Sequence, residues 1–154
     1  MNFMNGSILE LNLASTEGGA TSSFDRIEVV PGQGILGDRK FQNTKSSSKV
    51  YKRQITFIEI EQINRFNDLY GMNMKPSETR RNVVTTGVDL NSLVGCEFKV
   101  GNIALRGTML CEPCKYLQDM TLMPVIEGYL HRGGLCAEIL DHGYLCVGDQ
   151  ISNM

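Results

Sequence analysis

The chain has 154 residues, 42% of them hydrophobic and 21% charged, with a formal net charge of −2. That length supports one domain, residues 1–154, with a real core, and the charge balance lacks the basic excess that a nucleic-acid partner calls for. No apolar stretch is long enough to span a bilayer as a helix, and Met1-Asn2-Phe3 has neither the charged start nor the apolar middle of a signal peptide, so a cytoplasmic protein is expected. Five cysteines, an odd number, disfavour a secreted disulfide framework and fit a reducing compartment.

In chain order, Ser7 to Leu13 alternates as a strand and Ala14 to Ser23 reads as a loop rich in Gly, Ser and Thr. Arg26 to Val30 predicts a strand closed by Pro31-Gly32, followed by a glycine-punctuated turn from Gly34 to Arg39. The densest basic stretch, Lys45 to Arg53, is interleaved with Ser46-Ser47-Ser48 and has no helical period, so it reads as a solvated loop. Arg53 to Phe57 predicts another strand. From Ile58 the period changes: Ile60, Ile63, Phe66 and Leu69 recur at helical spacing, Glu59 and Glu61 stand at the first turn, and Gly71 supplies the stop.

Short strands return at Asn82 to Thr86, Cys96 to Val100 and Ile103 to Leu110. The last places Ile103, Leu105, Gly107 and Met109 on one face and Ala104, Arg106, Thr108 and Leu110 on the other. Val100-Gly101-Asn102-Ile103 predicts a hairpin with Gly-Asn at its turn. One short helix is expected after Pro113 and another over Leu122 to Leu130, and Leu135 to Leu140 and Tyr144 to Ile151 close the chain as strands. Many short strands with one long helix predict a mainly β fold, a closed or partly open β-barrel with a few short helices, and not an alternating βαβ order.

Two constellations carry chemistry. Cys111-Glu112-Pro113-Cys114 sits where a strand runs into a helix. With Pro113 as the first helical residue, Cys114 falls in the first turn, where a thiolate is stabilised. The spacing alone also serves zinc and redox sites. A structural zinc site wants four ligands, no second Cys-x-x-Cys pair exists, and His131, His142 and a lone cysteine would have to fold together to complete one. Cys96, Cys136 and Cys146 stand in apolar runs and read as small buried hydrophobes. The second constellation, Glu78-Thr79-Arg80-Arg81-Asn82, opens a strand with two guanidiniums and a carboxamide, donors suited to carboxylate or phosphate oxygens. Its plain alternative is a surface charge cluster paired with Glu78. Arg39 and Arg132 are two further arginines beside glycines.

Gly37-Asp38-Arg39, Arg53-Gln54-Ile55-Thr56, Glu78 to Leu90, Leu93-Val94-Gly95, Cys111 to Cys114, His131-Arg132-Gly133-Gly134-Leu135 and Val147-Gly148-Asp149, taken in order, resemble the MOSC domain, named for the C-terminal domain of molybdenum cofactor sulfurase. The resemblance covers nearly the whole chain. It implies a small stand-alone β-barrel that binds a molybdenum-pterin cofactor or carries sulfur as a cysteine persulfide for metal-sulfur assembly. Cys114 inherits the role of catalytic thiol and metal ligand; Arg80, Arg81 and Asn82 resemble the residues that hold the anionic end of the pterin, with Arg39 and Arg132 as further cofactor-binding candidates. The implied partners are the pterin cofactor or a sulfur donor or acceptor protein, and an electron-donor protein if the activity is reduction of N-hydroxylated compounds. No pyridoxal phosphate is expected, because the desulfurase domain of the larger sulfurases has no counterpart here. The residues ahead of Gly37 are also too few for the extra N-terminal domain of the amidoxime-reducing relatives. The alternatives are a non-catalytic binding module of the same fold and a structural zinc or redox Cys-x-x-Cys protein.

Overall fold

The computed structural model describes residues 5–42 and 52–154. In chain order these form β1 (Gly6–Leu13), β2 (Ser22–Phe24), β3 (Arg26–Val30), β4 (Gly34–Ile35), β5 (Ile55–Glu59), α1 (Ile60–Tyr70) and a 3-10 turn at Pro76–Thr79. There follow β6 (Val83–Thr86), a 3-10 turn at Leu90–Leu93, β7 (Glu97–Val100), β8 (Ile103–Leu110), α2 (Lys115–Thr121), α3 (Val125–Gly128), β9 (Leu135–Ile139), β10 (Gly143–Cys146) and β11 (Gln150–Asn153). Most of the basic stretch Lys45 to Arg53 lies outside the described residues.

Seven strands close into a barrel in the order β11-β7-β8-β9-β5-β6-β1, and the ring is completed where β1 meets β11 at Gly6↔Ile151 and Ser7↔Gln150. Closure leaves the ring no unpaired edge. The β5–β6 pair is parallel, and α1 with the turn that follows it provides the crossover this requires. β2 adds outside the ring against β1, while β10, β3 and β4 form a separate antiparallel sheet. The apolar residues of that small sheet, Ile27, Val29, Ile35 and Leu145, join the barrel core. Within the core Phe57 and Phe98 meet edge to face, with ring centroids 5.8 Å apart.

A second cluster sits outside the barrel and fixes the helices. Ile63 and Phe66 of α1, Leu117 of α2, Val125 of α3 and Tyr129 are buried together with Ile58 and Val84, and Phe66 stacks on Tyr129 at 4.6 Å. Leu117 thus ties α2 to the barrel wall, and with it the cysteine loop that precedes α2.

Four expectations are corrected. The run from Tyr144 to Ile151 is two strands, because Val147-Gly148-Asp149 turns the chain and Asp149 Oδ2 accepts from the Cys146 N–H at 2.9 Å. The expected helix from Leu122 to Leu130 shrinks to α3: Leu122 takes a left-handed φ of 58° that ends α2, and Pro124 precedes the restart. The expected loop ending at Ser23 already contains β2, and the turn after Pro31-Gly32 contains β4. Cys96 is exposed and Cys146 only partly covered, whereas Cys136 is buried as expected.

The simple alternation expected for β8 also breaks. Arg106 pairs Glu138 and Gly107 pairs Ala137, but Met109 pairs Cys136 and Leu110 pairs Leu135, so one extra residue is inserted around Thr108. Leu105 lies on the core side; after the bulge it is Leu110, opposite the core residue Leu135, that faces inward. Cys111, the next residue, therefore follows Met109 to the outer face, beside Cys136.

Candidate functional site

A cleft of about 220 Å³ opens where five segments converge: Glu17, residues 38–40, the run from Arg53 to Thr56, Arg80 to Asn82, and the cysteine loop with the start of α2. Arg39, Arg53, Arg80 and Arg81 line it together with Lys40, against the carboxylates of Glu17 and Asp38, and Cys111 and Cys114 share its wall. Cationic groups outnumber the acids, and the Asp38 carboxylate is already engaged by the Ala14 and Lys40 N–H groups at 3.2 Å and by Arg39 at 3.4 Å. The lining is therefore net cationic, chemistry suited to an anionic group.

Arg80 and Arg81 point to different tasks. Arg80 closes the 3-10 turn at Pro76–Thr79 with φ 62°, a left-handed conformation costing about 1 kcal/mol or more for a side chain of this kind. Its Nη1 donates to the Gly19 carbonyl at 2.7 Å, while Nη2 is buried with no hydrogen-bond partner among the described residues. Burial, and next the like charge of Arg39, pull the Arg80 guanidinium below its usual pKa; it remains a cation that gains from an incoming anion.

The Arg81 guanidinium instead donates to the carbonyls of Gly133 at 2.8 Å and Cys111 at 3.0 Å, with longer contacts to Thr79 and Glu112 at 3.5 Å. Asn82 is likewise engaged: its Oδ1 accepts from the Thr56 N–H and hydroxyl, each at 3.0 Å, and its Nδ2 donates to the Asn12 carbonyl at 3.2 Å. These two residues of the expected anion motif fasten the cleft's frame. Glu78 does not neutralise the arginines; its Oε1 accepts from the Lys75 N–H at 2.8 Å. Arg132 is exposed and does not line the cleft. Arg53, Lys40 and Tyr116 do line it. Of these, Arg53 was visible in the sequence only as part of Arg53-Gln54-Ile55-Thr56, and nothing local marked the other two.

The cysteine loop is held from both sides. Glu112 accepts from the His131 N–H at 2.7 Å and meets His131 Nδ1 at 2.7 Å, and the Cys111 N–H donates to the Gly134 carbonyl at 2.8 Å. A Cβ on Gly133 would collide with the Cys111 carbonyl and one on Gly134 with the Phe57 carbonyl, so this glycine pair lets three backbone segments touch. Cys114 is the N-cap of α2, one residue ahead of the first turn in which it was expected, and its Sγ accepts from the Leu117 N–H at 3.5 Å. It is exposed, whereas Cys111 is buried. The Cys111 thiol is held below the ordinary thiol range, first by a hydrogen bond with Cys136, against burial, and then by the charges of Arg81 and Arg53. The Cys136 thiol is correspondingly pushed up by the same hydrogen bond and by burial.

His131 and His142 pair with Glu112 and Glu28, and among the described residues no three His, Cys, Asp or Glu side chains gather as a metal set. The described helices include none long and apolar enough to cross a membrane.

Barrel and cleft together define a β-barrel protein with a thiol-bearing, cationic cleft. The sequence profile of the MOSC domain matches residues 36–152, and the chain belongs to that family. No curated protein matches it. Among solved structures it is similar to the YuaD protein of Bacillus subtilis, with a TM-score of 0.84 and 23% identity over 97% of this chain and 96% of that one. It is also similar to YiiM of Geobacillus stearothermophilus (TM-score 0.75, 13% identity, 97% and 75% covered) and YiiM of Escherichia coli (TM-score 0.69, 12% identity, 100% and 70% covered). At these identities the likeness speaks to the fold.

Proposed function

We propose that the cleft binds a molybdenum-pterin cofactor, with Cys114 as the thiolate ligand and Arg80, Arg39 and Arg53 as the receivers of its anionic end. The observation that carries this reading is the placement on one cleft of an exposed thiol and a guanidinium whose buried Nη2 has no partner among the described residues. The donor set fits such a group: a soft thiolate suits the metal, and planar guanidiniums suit phosphate oxygens. Arg81 and Asn82 act by holding the Cys111 and Gly133 carbonyls and the start of β5, so that the receiving groups stay in place. When bound, the cofactor supplies two-electron redox chemistry, for which the family resemblance suggests reduction of N-hydroxylated compounds with electrons from a partner protein in a reducing compartment.

A second reading, in which Cys114 carries a persulfide delivered by a sulfur donor protein, is favoured by the second thiol on the same cleft. Anaerobic purification from cells that make the pterin cofactor, with metal analysis and intact mass of wild type and Cys114→Ala, separates the two. Molybdenum lost with the thiol supports the first; an added sulfur atom lost with it supports the second. Neither in wild type sinks both.

A further inference from the structure

The cleft holds a thiol that neither metal ligation nor sulfur carriage at Cys114 uses. Cys111 lines the same cavity as Cys114, three residues away, and reaches it because the bulge around Thr108 turns the end of β8 outward. Cys136 stands on the same outer face of the adjacent strand, opposite Met109, and its thiol is the first influence that lowers the Cys111 thiol. Arg81 fixes the Cys111 carbonyl at 3.0 Å and brings its charge to the same residue. An exposed thiol, a buried thiol facing the same space and a second buried thiol on the adjacent strand form a graded series.

The geometry points to Cys111 as a resolving thiol that discharges sulfur from Cys114 as hydrosulfide. This rests on the persulfide reading of Cys114. In the step, the Cys111 thiolate attacks the inner sulfur of the Cys114 persulfide and a Cys111–Cys114 disulfide forms. The bond between the two persulfide sulfurs breaks, and its electron pair leaves with the outer sulfur, which departs with its proton as HS⁻. The outer sulfur is reduced by two electrons and the two cysteine sulfurs are oxidised by one each. Two equivalents of a small-molecule thiol, of the kind a reducing compartment supplies, return the disulfide to the dithiol. The lowered Cys111 thiol raises the thiolate share of the attacking group, and Cys136, the first cause of that lowering, acts as a positioning residue.

The test loads the full chain anaerobically with sodium tetrasulfide, removes the excess by desalting, and follows hydrosulfide release, intact mass and the thiol pairing in peptides. Wild type is expected to release one hydrosulfide per chain and to end two hydrogens lighter, with the Cys111 and Cys114 peptides cross-linked. Cys111→Ser should instead retain one extra sulfur on Cys114 and release it at least about tenfold more slowly. Cys136→Ala should slow release and move its pH dependence upward, and Cys96→Ala should change nothing. Equal retention by wild type and Cys111→Ser overturns the resolving role and leaves the persulfide reading standing. A Cys111→Ser chain that takes up no sulfur at Cys114 overturns both. The peptide map of wild type needs no variant to fold, and a Cys111–Cys136 cross-link in place of Cys111–Cys114 overturns the assignment by itself.

Discussion

Within the cleft, the Arg81 guanidinium and the Asn82 carboxamide are hydrogen-bonded to the backbone of β5 and the segments holding Asn12, Cys111 and Gly133. Beside them in the same cleft, Arg80 keeps Nη2 without a partner among the described residues, and Cys114 is exposed. Residues that stand side by side in one motif thus divide into a frame and a receiving surface. A cationic motif shows that a site is near, and the hydrogen-bond partners of each side chain show which members are open to a ligand.

That division predicts opposite phenotypes for neighbouring substitutions. Arg81→Ala removes charge-assisted bonds to two carbonyls and is expected to cost about 3 kcal/mol. At this chain length that lowers the thermal midpoint by roughly 6–12 °C, read by a thermal melt. A wild-type melt with only ligand binding impaired would break the comparison. Asn82→Ala strands the Thr56 N–H and the Asn12 carbonyl and should cost about 2 kcal/mol by chemical denaturation. Arg80→Gly, in contrast, relieves a left-handed backbone while giving up one bond to Gly19, so stability should stay within about 1 kcal/mol. Its molybdenum content, measured by metal analysis, should fall about tenfold or more. If stability falls as far as in Arg81→Ala, Arg80 belongs to the frame.

A smaller effect sharpens the same contrast by pH. Because the Cys111 thiol lies below the ordinary range, its thiolate survives as the pH falls where an unperturbed thiol is already protonated. Alkylation of Cys111, followed by peptide mass, should therefore inflect at lower pH than that of Cys96. Cys136→Ala removes the largest cause of the shift and should move the inflection upward. An unmoved inflection would assign the shift to the arginines alone.

Local signals carried much of the architecture. The Gly101-Asn102 hairpin joins β7 to β8 with Val100 opposite Ile103, and Gly71, in left-handed conformation, ends α1. Both follow from residues adjacent in sequence. The bulge in β8 does not: Thr108 is an ordinary strand residue, and the carbonyls within reach of its hydroxyl, Lys52 at 2.7 Å and Cys136 at 3.0 Å, arrive only once distant segments have assembled. The fate of Cys111 was hidden for the same reason, since it depends on which face follows the bulge. Nor could the sequence separate Arg80 from Arg81. Arginine carries no preference for positive φ, and the Gly133 and Cys111 carbonyls that hold Arg81 most closely come from segments thirty or more residues away in the chain.

The pairing of Gly6 and Ser7 with Ile151 and Gln150 has a consequence for the order of events during synthesis. The last barrel seam joins β1 to β11, so the ring cannot be sealed until the chain through Ile151 has left the ribosome. Until then β1 can pair β6 but carries an open edge toward the missing β11. The nascent chain must therefore keep that edge from other partners, and sealing it is a late, long-range step whose rate is set by chain closure more than by local propensity.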